Sequence, residues 1–383
     1  MKLTYIENIR LPTEKAHGFQ IMKTSEALVR AGLEVELFVA DRKNPISDDA
    51  FAYYQMTPSF PIRKLPVIDL MPIVGPLMRF AYAFERWTFL RAVKRLLEKS
   101  SVADAAYTRD PVIADAIRTA SPKTPLFVEL HDDRSSWPWQ ELSRSVTGWI
   151  VISQALKRVL VERRIASDRI LVEPDAYDAS AFADLPSRAD ARSALGIPDD
   201  MFLLVYTGKL FRWKGVDTIA PAFDSLPPNC QVAVIGGHPD DVARVKALAG
   251  PSVAVRFVGE LLRNEAYRWL AAADAAILPT SSKFDIGMLY TSPLKLFEYL
   301  AAGLPIVASD VPSSREILDE HVAVFFKPDD AEDFARAVRE VTARSVEDRA
   351  VMFHLAKERA MPYTWTRRGE RIARFIQDRI QHI

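Results

Sequence analysis

Residues 285–310 read DIGMLYTSPLKLFEYLAAGLPIVASD, and the class of fold turns on this stretch. Ser292 is placed to cap a helix whose first residue is Pro293, where a missing N–H costs nothing. Gly303 supplies a stop, and Pro305 bars continuation. A strand follows at 306–308. The short helix opens with free amides and the positive end of its dipole, a seat for a diphosphate. Glu298, one turn beyond Leu294, carries a carboxylate that can accept two hydrogen bonds from a ribose diol. The same residues also read as an ordinary capped helix with a Lys295–Glu298 surface pair.

The rest of the chain alternates in the same way. Short β-branched and apolar runs at 35–40, 125–130, 148–152, 202–206, 232–235, 254–258, 275–278 and 306–308 suit buried parallel strands. Helical segments lie between them, for example 19–31 with Gly32 as a stop. The expected fold class is therefore α/β, with parallel sheets covered by helices on both faces. A length of 383 residues, 49% of them hydrophobic, supplies two cores. The boundary is expected in 177–198, where proline, glycine and charge mix ahead of the strand at 202. Residues 363–383 read as a basic amphipathic helix.

Bulk properties exclude several classes. Fifty basic residues balance fifty acidic ones, which argues against a general nucleic-acid binder. A single cysteine, Cys230, rules out an internal disulfide framework and a multi-cysteine zinc site, and fits a reducing cytoplasm. The opening MKLTYIENIR is strand-like and lacks the pattern of a signal peptide. No uncharged apolar run reaches the roughly 18 residues of a membrane span.

A second constellation is VYTGKLFRWKGVD at 205–217. A strand ends at Thr207, Gly208 permits a turn, and Lys209 and Lys214 follow at the carboxyl end of the strand. Ligands of open α/β sheets bind at that edge. Two ammonium groups there could neutralise a diphosphate; a solvated basic loop is the plainer alternative.

Together, GKLFRWKGVD at 208–217 and SPLKLFEYLAAGLPIVASD at 292–310 resemble the family 4 glycosyltransferases of the GT-B group. FVGE at 257–260 and ADAAILP at 273–279 fit between them. TEKAHGFQI at 13–21, HDD at 131–133, VISQALK at 151–157 and PDAYD at 174–178 extend the likeness to the first half. The resemblance implies a GT-B fold, two Rossmann-like domains with parallel sheets facing a central cleft. It places an acceptor-side domain at 1–178, a nucleotide-sugar-binding domain at 179–360, and a final helix at 361–383 that packs back on the first domain.

Carried over residue by residue, the resemblance gives Lys209, where the family has arginine, and Lys214 a grip on the donor diphosphate. Glu298 matches the second glutamate of the E-x7-E motif, which holds the ribose. Thr291, Ser292 and Leu294 would line the phosphate-binding turn beside Gly208. His131 would face the donor sugar, and Gly18 would let backbone approach donor or acceptor. The first glutamate of the motif falls on Tyr290, with Asp285 as a candidate substitute, which leaves the choice of sugar open. Lysine at 209 keeps the charge of arginine but loses its bidentate fork.

The implied reaction is a retaining transfer from a nucleotide-diphosphate sugar to a hydroxyl acceptor, without a metal or other cofactor. Asp132 and Asp133 are adjacent and would point to opposite faces of a strand. Residues 66–99 interleave aromatics with Arg79, Arg86, Arg91, Lys94 and Arg95. The stretch cannot span a bilayer; it reads as a core helix after an irregular loop, or as a peripheral membrane contact of a cytoplasmic protein. Competing readings are another GT-B enzyme (an epimerase or phosphorylase) and a non-catalytic sugar-binding partner. A nicotinamide oxidoreductase is disfavoured, because Gly236–Gly237 is too short a dinucleotide fingerprint.

Overall fold

The computed structural model describes residues 1–70, 78–99, 103–133, 137, 139–252 and 254–382. The chain divides into two compact units, 1–174 with 365–383, and 175–364. Each is built on one sheet whose strands all pair in parallel.

The first unit holds β1 (Lys2–Glu7), β2 (Glu34–Asp41), β3 (Ile62–Pro66), β4 (Ala105–Thr108), β5 (Leu126–Leu130), β6 (Gly148–Val151) and β7 (Ile170–Val172). Their spatial order is β3-β2-β1-β4-β5-β6-β7. The chain leaves this unit after Pro174 and returns to it as the helix Trp365–Gln381. That helix buries Trp365, Ile372, Ala373 and Ile376, a stripe with the three-to-four-residue spacing of an amphipathic helix. Close approach is secured by glycine: a Cβ on Gly369 would lie 2.5 Å from the Ala27 carbonyl oxygen.

The second unit holds β8 (Phe202–Thr207), β9 (Cys230–Ile235), β10 (Val255–Gly259), β11 (Ala275–Leu278), β12 (Ile306–Ser309) and β13 (Ala323–Phe326), in the order β10-β9-β8-β11-β12-β13. β8 shows why these runs are continuously apolar. Leu203 and Val205 join one core with Phe297 and Leu300, while Leu204 and Tyr206 join another with Ile219 and Phe334. Both faces are covered, so no position can be polar at low cost.

The eight runs expected as strands form strands. β3, β4, β7 and β13 come in addition, with β1 at the strand-like opening. The described part of 66–99 contains one long helix, Met78–Lys99; residues 71–77 lie outside the described residues.

Candidate active site

In the second unit the site is assembled at the carboxyl end of β8. Gly208 turns there with φ +117°, a left-handed conformation that favours glycine. The turn is pressed from two sides. A Cβ on Gly236 would meet the Gly208 carbonyl oxygen at 2.7 Å, so Gly236 is explained by packing against this turn. Tyr299 reaches from the helix Leu294–Ala301, and its hydroxyl accepts from the Thr207 amide at 2.8 Å.

The loop that follows is held equally firmly. Tyr206 donates its hydroxyl to the Lys209 carbonyl at 2.8 Å. Gly215, at φ +76°, lies so close to Pro279 that a Cβ would sit 1.6 Å from its carbonyl oxygen. Ser281 donates its amide to the Trp213 carbonyl. Lys214 packs over the Trp213 ring at 3.7 Å. Burial lowers the Lys214 pKa to about 7, against the attraction of Asp175. Lys209 instead forms an ion pair with Glu260. Both of those side chains are substantially exposed, so exchanging Glu260 for an anionic ligand costs little.

The helix Leu294–Ala301 differs at its start from the sequence expectation. Pro293, not Ser292, is the N-cap, with φ −75° and ψ 126°, and no side chain caps the helix. The Ser292 hydroxyl accepts from the Asp175 amide at 2.9 Å instead. The reason is the fixed φ of proline, which suits the extended N-cap geometry as well as the first helical turn. The helix still opens without a side-chain acceptor for its first amides, which remain available to an anion. Its other end is as expected. Gly303 adopts φ +80°, donating to Leu300, while Leu304 donates to Tyr299, the paired bonds of a Schellman motif.

Lys295 and Glu298 do not form a surface pair; both are buried. Glu298 Oε1 accepts from Tyr267 at 3.1 Å and is paired with Arg263. No described residue bonds Oε2, which leaves one carboxylate oxygen to accept from a ligand. The Lys295 ammonium lies over the Tyr206 ring at 3.5 Å and beside Gly208. Sequence reading missed Lys295 and Arg263, because helical spacing alone does not say which face meets the β8 turn.

Of the other positions, Thr291, Leu294 and Tyr290 are half-buried around the helix start. Asp285 is exposed and begins the single turn Asp285–Met288, whose Gly287 packs against Thr280 and the Trp213 carbonyl. The structure thus brings together Gly208, Lys214, Ser292, Lys295 and Glu298.

The first unit has its own polar cluster, at the carboxyl ends of β1, β4 and β5. His131 Nε2 lies 2.5 Å from Glu129 Oε1. Glu129 is buried on β5 and also meets Arg368 at 3.0 Å, Arg109 at 3.7 Å and the Tyr107 hydroxyl. Burial pushes the Glu129 pKa up, but Arg368 and His131 overcome it and hold the carboxylate well below its usual range. Burial, with Arg109, lowers His131 to about 4, so its imidazole is neutral at physiological pH. Glu129, Arg109 and Arg368 carried no sequence signal; a single carboxylate in the run LFVEL reads as an apolar strand. Gly18 is explained inside the chain: a Cβ there would lie 2.2 Å from the Tyr54 hydroxyl oxygen and 2.5 Å from the Thr13 methyl. Among the described residues no group of three or more His, Cys, Asp or Glu is placed to hold a metal ion.

A family model described as Glycosyl transferases group 1 matches residues 202–344. Over these residues the chain is similar to that family. The matched segment contains β8 to β13, the Gly208 turn with Lys209 and Lys214, and the Leu294–Ala301 helix. A D-inositol 3-phosphate glycosyltransferase of Xylanimonas cellulosilytica is 31% identical over 166 residues, 40% of this chain and 38% of the relative. One of the same name from Saccharomonospora viridis is 28% identical over 242 residues, covering 57% and 54%. The matches therefore span well under two thirds of these relatives' own length.

Among solved structures, sucrose-phosphate synthase from Thermosynechococcus elongatus superposes with a TM-score of 0.77 at 17% identity, covering 100% of both chains. Anabaena Alr3699/HepE in complex with UDP and glucose gives 0.74 at 16% identity, covering 99% of this chain and 100% of that one. These likenesses extend beyond the matched segment to both units and establish the GT-B fold.

Proposed function

We propose that the protein is a retaining glycosyltransferase that moves a sugar from a nucleotide-diphosphate sugar to a hydroxyl acceptor. The observation that carries this reading is the convergence, inside the matched segment, of the Gly208 turn, Lys214, the uncapped start of the Leu294–Ala301 helix and a Glu298 oxygen left without a partner among the described residues. A pyrophosphate fits the first three and a ribose diol the fourth.

In this reading Lys214, Lys209 and the helix amides bind charge that grows on the leaving diphosphate as the glycosidic bond breaks. They stabilise the transition state more than the ground state. The acceptor hydroxyl attacks from the face the diphosphate leaves, and a leaving phosphate oxygen takes its proton. The chain needs no nucleophile and no metal for this route. His131, neutral and oriented by Glu129, hydrogen-bonds the transferred sugar. Asp285 takes over contacts that a glutamate at 290 would make.

UDP-sugars head the candidate donors, since Alr3699/HepE holds UDP and glucose. The names of the sequence relatives put a phosphorylated polyol first among acceptors. The cytoplasmic face of a membrane is the proposed location. Among the described residues no helix is long and apolar enough to cross a membrane. However, the Met78–Lys99 helix exposes Phe80, Tyr82, Phe84 and Trp87, with Arg91 stacked over Trp87 at 4.7 Å, a pattern suited to an anionic interface.

The test is a thermal-shift panel of UDP, GDP, ADP and their sugars, followed by donor hydrolysis. A ligand at 100 times its dissociation constant adds about 2.7 kcal/mol. Lys214→Ala should raise the barrier by roughly 2–4 kcal/mol, by analogy with an oxyanion donor, and Glu298→Ala should lose nucleotide binding. Wild-type affinity in folded Lys214→Ala and Glu298→Ala proteins would remove the basis of the assignment.

A further inference from the structure

Lys295 is more than nine-tenths buried, and its ammonium has no hydrogen-bond acceptor among the described residues. Leaving such a group unpaired costs several kcal/mol, and methionine would fill the same space without that cost. The surroundings do not neutralise it. Across from it on β8 is the face of Tyr206, at 3.5 Å. On the turn is Gly208, whose missing Cβ would stand 3.3 Å from Nζ. Lys214 repels it from the loop; Glu298, on its own helix, attracts it, and that carboxylate is engaged by Arg263 and Tyr267. Burial first, and Lys214 second, push the Lys295 pKa well below the usual lysine value.

The ammonium thus sits where three other features expect negative charge: a glycine turn without a side chain, a second half-buried lysine, and a helix start without a cap. We propose that Lys295 is a third cationic ligand of the donor diphosphate, reaching it from the helix side beside Gly208. The assignment rests on the reading of this site as a diphosphate site, and it adds a consequence. Two crowded amines that share one anion take up protons as the anion binds.

The experiment is calorimetric titration of the full chain with UDP, GDP and ADP and with the matching nucleosides. It is run at pH 8 in two buffers of different ionisation enthalpy, for wild type, Lys295→Met and Lys295→Gln. Both variants should bind the preferred diphosphate on the order of 10- to 100-fold more weakly, the range for a hydrogen bond to a charged group. They should bind the nucleoside unchanged and take up fewer protons. Without ligand, Lys295→Met should melt no lower than wild type, since it removes an unpaired buried charge. Undiminished diphosphate affinity in the variants, or loss of the fold in both, overturns the role of Lys295. A wild-type protein that binds none of the three diphosphates overturns the donor reading itself, and Lys295 with it.

Discussion

Glu7 ends β1, and its carboxylate accepts from the Arg109 amide. Burial raises its pKa to about 8, with Arg109 opposing. The folded state therefore holds a proton that the unfolded chain releases near the ordinary carboxylate value. The stabilisation this gives is complete below that value and is lost as pH rises toward 8. Glu7→Gln should flatten the fall in stability between about pH 5 and 8, as read from urea midpoints. Lys214 works in the opposite sense for ligands. Only the ammonium attracts a diphosphate, so affinity should fall as pH rises from 7 to 9. Lys214→Arg should reduce that slope in calorimetric titrations, because guanidinium stays charged, and leave the part that Lys295 supplies. The placement of Lys214 after the β8 turn and of Glu298 on the Leu294–Ala301 helix was legible because each stands at a fixed offset from a turn glycine or helix stop. The buried settings of Lys295 and Glu129 were not legible: they depend on which neighbours three-dimensional packing brings against them.

Elements hold these side chains through a few backbone constraints. Tyr299→Phe should cost about 1–3 kcal/mol, the penalty for a buried N–H left without an acceptor at Thr207. It should also weaken diphosphate binding by loosening the Gly208 turn; chemical denaturation and titration together read both effects. Gly215→Ala should be worse, because its φ of +76° and the Pro279 carbonyl both exclude a Cβ. Strands buried on both faces, such as β8 and β12, announced themselves by uninterrupted apolar runs. β3 did not, since its sequence IRKLP is largely exposed, and three-residue β7 and small-residue β4 offered too little pattern. The start of the Leu294–Ala301 helix was misread by one position because Ser-Pro satisfies two capping arrangements equally well.

At the scale of the molecule, the first unit depends on its returning helix. Arg368 is buried there and donates to the Pro174 carbonyl at 2.9 Å and the Thr24 hydroxyl at 3.1 Å. Removing 365–383 would take four buried apolar side chains out of the core and leave Glu129 short of a counter-charge. A loss on the order of 5 kcal/mol follows from the apolar burial alone, visible as faster amide exchange in β1 and β4 to β6. Vesicles give a separate whole-molecule test: anionic liposomes at low salt should sediment the wild type but not a Phe84→Ser, Trp87→Ser double variant. The α/β alternation was plain in the sequence. The membership of residues 365–383 in the first unit's core was suggested by the resemblance rather than by composition.

That chain path also sets an order of events during synthesis. Residues 175–364 are continuous, so every strand of β8 to β13 is available before the returning helix has been made. The sheet of β1 to β7 is translated first yet must wait for the helix that covers it. The later-made unit should therefore acquire protease resistance on stalled ribosomes before the earlier-made one, and nascent β1 to β7 should be the segment that engages chaperones.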